Sequence, residues 1–214
     1  MSSYLRPAID SPVFRDDDGQ VIDYGSRWPD SPPDDAYSVD RHPERFAPLH
    51  RIADALIAHL RAAFDVTVQE GIEVADDLMH PHPHPQVKRA VRVRPNDPEC
   101  AALTFVFTDY PGILLHAGLL HDFAYPSCGC EACDSEWTTE ADGLEQQVLA
   151  VAGGEYRESI TSGVRPRVEV STTYPDGSSS GESRAEDVPA DRLATAMPVL
   201  AGRTGAWAPW PPRP

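Results

Sequence analysis

Three cysteines stand within six residues in the run Pro126-Ser127-Cys128-Gly129-Cys130-Glu131-Ala132-Cys133-Asp134. Thiolates at spacings of two and three can converge on one soft cation such as zinc, because Gly129 lets the backbone turn tightly between them. A helix is expected from about Ser135, and its N-terminal amides would favour thiolate over thiol in the loop that feeds it. A structural zinc ion takes four ligands, so one donor has to come from outside the three sulfurs. The sequence offers His121, Cys100 and Asp134. If Pro111-Gly112 is the two-residue loop of a hairpin, Ala102 lies opposite His121 and Cys100 lies opposite Phe123, so both leave the same end of it. His121 is seven residues upstream of Cys128 and Cys100 is 28, so His121 costs less loop closure. The expected structural zinc set is therefore Cys128, Cys130, Cys133 and His121.

Two other uses of the cluster compete with zinc. The thiols can simply be small hydrophobes in a tight loop, or they can serve an enzyme or redox protein, with His121 or His116 beside them. In the same hairpin register His116 lies opposite Phe107, on the face bearing Leu103, Phe105, Leu114 and Leu120. There it reads as a core histidine satisfied by one hydrogen bond, with a catalytic base as the competing reading. His80, His82 and His84 alternate with prolines, which suits an exposed polyproline-like loop with at most weak metal affinity. No phosphate loop, nucleophile elbow, zinc-protease helix or dinucleotide fingerprint occurs. Catalytic motifs being absent, the expectation leans towards a non-enzymatic protein.

Charge narrows the partners. Among 214 residues, 18 Lys and Arg stand against 34 Asp and Glu, a net charge of −16. Nucleic acid and anionic lipid both demand cationic surface, so neither is an expected partner, and a protein is. No apolar run is long enough to span a bilayer, and the first residues lack the basic-then-apolar pattern of a signal peptide. Clustered thiols are also unlike a secreted disulfide framework, which makes the expected location cytoplasmic.

The elements that must position these residues read as follows. Residues 1–42 carry nine acidic side chains and many prolines, so they are expected to form a largely irregular, solvated segment, with Tyr24, Trp28 and Tyr37 as its only anchors. Residues 43–214 form the single folded domain. Phe46, Leu49, Ile52, Ala53, Leu56, Ile57, Leu60 and Phe64 recur at three- and four-residue steps, one long amphipathic helix from Pro43. Strands are expected over 65–74 and in Lys88–Arg94, where Val91 and Val93 alternate with Ala90, Arg92 and Arg94. A hairpin follows over 103–118, then a helix over 135–152 ended by Gly153-Gly154, and a strand over 155–161. Residues 167–184 make a second hairpin turning at Pro175-Asp176-Gly177, before a short helix near 189–197. This order is α+β, an antiparallel sheet with the long helix and a second helix after the cysteine loop. Trp207 and Trp210 are expected to pack the C-terminal tail on the body.

The stretch Phe105–Gly112, the run Tyr125–Asp134 and the closing Trp-Ala-Pro-Trp-Pro-Pro-Arg together resemble an actinobacterial family of uncharacterised proteins, a domain of unknown function. Its cysteine motif reads C-G-C-[DE]-A-C-D; here Glu131 stands for the more usual Asp and Ser135 for a Glu. The resemblance spans most of the chain from Pro43 onward. It implies that the tryptophan tail belongs to the fold, and it implies no activity.

Overall fold

The computed structural model describes residues 3–79 and 86–214, so the expectation at His80, His82 and His84 lies outside the described residues. Two dipeptide strands, β1 (Phe14–Arg15) and β2 (Val21–Ile22), pair within an otherwise irregular N-terminal segment. The apolar stripe that follows is fully buried from Phe46 to Leu60. It is carried in two pieces rather than by one helix from Pro43: a 3-10 turn over Pro43–Phe46, then α1 over Pro48–Ala63. Pro48 has no N–H to reach back four residues, so the α-helical ladder can begin only there.

The rest is α+β. Strands β3 (Val66–Glu70), β4 (Val87–Pro95), β5 (Leu103–Thr108), β6 (Ile113–Ala117) and β7 (His121–Tyr125) form a five-stranded sheet in sequence order. After α2 (Trp137–Gly153), strands β8 (Tyr156–Ile160), β9 (Arg167–Tyr174) and β10 (Gly177–Arg184) form a separate three-stranded sheet, and α3 (Ala190–Ala201) follows. All strand pairs are antiparallel. One face of the larger sheet, with Val91, Val93, Leu103, Phe105, Phe107 and Leu115, packs on α1 and α2. On the other face Ala90, Val106 and Leu114 meet Val74 from a 3-10 stretch over Ile72–Asp77.

The β5–β6 register departs from the expected one, and the departure matters. The connection is longer than Pro111-Gly112: Phe107 pairs with Ile113 and Thr104 pairs with His116. The Thr108 hydroxyl, bonded to the Tyr110 carbonyl at 2.5 Å, holds the wider loop. An odd shift exchanges the two faces of a strand. His116 therefore points away from Leu103, Phe105 and Phe107, not among them.

A second reversal was also unforeseen. Gly118, at φ +67°, turns the chain so that His121 pairs with Ala117 and β7 runs back to place Tyr125 beside Ile113. The cysteine loop thus leaves the sheet at the Tyr110 end.

The C-terminal tail packs as its tryptophans implied. Trp207 and Trp210 are buried, Phe64 bridges to Pro212, and the Trp210 indole donates to the Ala101 carbonyl at 2.9 Å.

Candidate functional site

Cys128, Cys130 and Cys133 sit in the turn between β7 and α2, and their sulfurs all lie within 4.8 Å of one another. The Cys128–Cys130 separation is 3.3 Å and the Cys130–Cys133 separation 3.5 Å. Thiolates about 2.3 Å from a tetrahedral zinc ion stand about 3.8 Å apart, so these two pairs need only about half an ångström or less of opening to receive one. Hydrogen bonding from the Cys133 backbone, and then from the Cys128 side chain, lowers the Cys130 thiol to about 7. Cys133, hydrogen-bonded to Cys128 and then to Cys130, is pushed up to about 12. Cys130 therefore ionises before Cys133, and Cys133 is exposed.

None of the three expected fourth donors joins the sulfurs; among the described residues only the three cysteines converge. His121 lies at the start of β7 and the loop leaves its end, four residues or about 13 Å away. Its ring packs edge-on against Phe123 instead, and burial lowers its pKa. Cys100 is buried beside the tail, its thiol 3.4 Å from the Pro209 carbonyl. Asp134 is occupied by Arg27, whose backbone N–H donates to it at 2.9 Å and whose Nε also bonds it.

The loop is held by the segment that composition made a solvated tail. Arg27 Nη1 donates to Glu131 Oε2 at 2.6 Å and Nη2 to the Glu131 carbonyl at 2.7 Å. Arg45, almost fully buried, donates to the Gly129 carbonyl at 2.7 Å. Both guanidinium carbons lie 4.3 Å from the Tyr24 ring centroid, and the Tyr24 hydroxyl donates to Glu131 at 3.1 Å. The backbone N–H groups of Glu131 and Ala132 complete the seam, donating to the Val39 and Ala36 carbonyls. Burial opposes ionisation of Glu131, but Arg27, Tyr24 and Arg45 together hold its carboxyl below the usual range. A side chain at position 129 would strike the Tyr110 hydroxyl, so glycine between the first two cysteines is needed for packing as well as turning. Ion pairs and stacking, which a hydropathy argument does not register, order this irregular segment.

The structure also assembles a second constellation that the sequence reading missed. Gln69, Arg92, Thr104, His116 and Asp122 pair successively across β3 to β7, one polar row running the width of the sheet. Arg92 donates twice to Asp77, at 2.6 and 2.5 Å, and Thr104 Oγ1 bonds the same carboxylate at 2.5 Å. His116 Nδ1 lies 2.7 Å from Asp122 Oδ1, and the second Asp122 oxygen accepts the Met79 N–H at 2.7 Å. Burial raises the Asp77 pKa, but Arg92 and Thr104 outweigh it and leave it low. Arg92, Thr104 and His116 line a cleft of about 540 Å³ closed on one side by α3. The one available signal was a polar side chain inside each of several consecutive strands; without the register, those residues read as solvent-facing or core positions.

Among the described residues, no helix is long and apolar enough to cross a membrane. The model of a protein family, described as a family of unknown function (DUF6226), matches residues 10–214. No curated protein and no solved structure matches the chain. The match takes in nearly all of the N-terminal segment that clamps the loop.

Proposed function

The chain belongs to DUF6226, a family of unknown function, and on its geometry we propose that it is a non-enzymatic protein whose cysteine loop holds one structural zinc ion. The observation that carries this reading is the convergence of three sulfurs within 4.8 Å in a loop pinned from outside by Arg27 and Arg45. Cys128, Cys130 and Cys133 supply three donors, and the fourth position, unlike that of a closed all-protein site, falls to water on the exposed side of Cys133. Bound there, the metal fixes the β7–α2 connection that Arg27 and Tyr24 of the N-terminal segment already grip at Glu131, and its binding energy becomes folding energy for that loop. The net charge of −16 supports a basic protein surface as the partner, and four unpaired cysteines support a reducing compartment such as the cytoplasm.

The test is metal analysis of untagged protein purified without added metal. We expect about one zinc per chain, none in Cys130→Ser, and in His121→Ala an affinity within about twofold of the parent, since a ligand or its support would register at about 10-fold. A second reading, thiol chemistry, is favoured by the lowered Cys130 thiol and its 3.3 Å approach to Cys128. Metal-free protein whose Cys130 is alkylated by iodoacetamide within minutes would overturn the zinc reading in favour of that one.

A further inference from the structure

The polar row and its cleft are separate from the cysteine loop and do not depend on it. Four observations bear on what the cleft does. It is large enough, at about 540 Å³, for a small metabolite. His116 lines it, backed by Asp122: with Nδ1 taken by that carboxylate at 2.7 Å, Nε2 has no hydrogen-bond partner among the described residues. An aspartate on Nδ1 fixes the tautomer and orientation of the ring, and it strengthens the imidazole as a hydrogen-bonding group.

Its walls carry Arg94 from β4 and Arg192 from α3, neither of which makes an ion pair among the described residues, although Arg27, Arg45, Arg89 and Arg92 all do. Three aspartates share the lining. Asp77 is spent on Arg92 and Thr104, Asp97 accepts the Glu99 N–H at 2.9 Å, and Asp191 stands in the first turn of α3. With three arginines against three aspartates, the lining is neutral in a chain of net charge −16, and the two free cations are both arginines. Finally, a row of Arg, Thr and His on an inner sheet face costs desolvation that apolar residues would avoid, a cost typical of sites built to bind something.

We propose that this cleft binds a small molecule bearing an oxyanion, a carboxylate or a phosphate, gripped by Arg94 and Arg192 and hydrogen-bonded by the His116 that Asp122 orients. Guanidinium groups present two parallel donors that match either oxyanion, and the row beneath them is already fixed before a ligand arrives.

The experiment is calorimetric titration of the full chain at low ionic strength with inorganic phosphate and, separately, with citrate. Saturable binding of at least one is expected, and which of the two binds more tightly identifies the oxyanion. Arg94→Gln with Arg192→Gln should weaken that binding by at least about 10-fold, the cost of losing charged hydrogen bonds. His116→Gln should weaken it severalfold. Arg51→Gln, on the exposed side of α1, should leave it unchanged. Near-ultraviolet circular dichroism checks that each variant keeps its fold, and the two surface arginine substitutions keep the test decisive if His116→Gln does not. No saturable binding of either anion, or binding that the double arginine variant leaves intact, would overturn the proposal.

Discussion

The indole Nε1 of Trp207 donates a hydrogen bond of 3.1 Å to Oε2 of Glu158, a fully buried carboxylate on β8. The same carboxylate accepts the N–H groups of Leu119 at 3.0 Å and Leu120 at 2.8 Å. It therefore holds the turn that reverses β6 into β7, and a Cβ on Gly118 would collide with it. One residue from the tail and one from the smaller sheet thus fix the strand carrying Asp122 beside the strand carrying His116.

Losing that bond should cost more than losing its counterpart in the same tail. Trp207→Phe leaves a buried carboxylate short of a donor, a loss of about 2 kcal/mol, whereas Trp210→Phe frees only the Ala101 carbonyl, about 1 kcal/mol. Both changes remove the same ring atoms, so comparing their urea midpoints isolates the hydrogen bond. Equal midpoints would mean that Glu158 gains nothing from the indole.

Glu158 should also leave a mark on the pH dependence of stability. Burial raises its pKa in the folded protein above the ordinary carboxyl value, so between those two pKa values the native state binds more protons than the unfolded chain. Stability from this group is complete below the unfolded pKa and declines as pH rises towards the folded one. Asp77 and Glu131, both lowered, act in the opposite sense. The informative quantity is therefore the difference in Tm between the parent and Glu158→Gln, measured from pH 4 to pH 8. The parent's relative stability should be greatest at the acid end and fall with rising pH. A difference that grows with pH would show that the carboxylate, and not the acid, is the form the fold prefers.

Arg27 is the residue on which the N-terminal clamp turns. Arg27→Ala strips one cation from two buried acids, Glu131 and Asp134, and should cost about 3 kcal/mol, tempered by the contacts that Arg45 and Tyr24 keep with Glu131. At this chain length that is a fall in Tm of about 6–12 °C by calorimetry. Arg27→Lys should rescue little of it, because an ammonium cannot reach the Glu131 carboxylate, its carbonyl and Asp134 together. A Tm within about 2 °C of the parent would return residues 3–42 to the status of a solvated tail.

What the chain determined by itself is what depends on near neighbours. The stripe from Phe46 to Leu60, the alternation of Arg92, Val93 and Arg94, the hairpin of β9 and β10 and the tight spacing of the three cysteines all follow from periods of a few residues, which any stretch of backbone imposes on its own side chains. The tertiary structure decided whatever joins distant positions. Arg27 meets Glu131 across 104 residues and Trp207 meets Glu158 across 49, and no local pattern encodes either contact. The register of β5 against β6 shows why the divide is so sharp. It turns on whether the loop before Ile113 closes over two residues or more, a choice made by Thr108 and the packing around it. Because side chains alternate with period two, that small difference moves His116 from the hydrophobic core to the floor of a polar cleft.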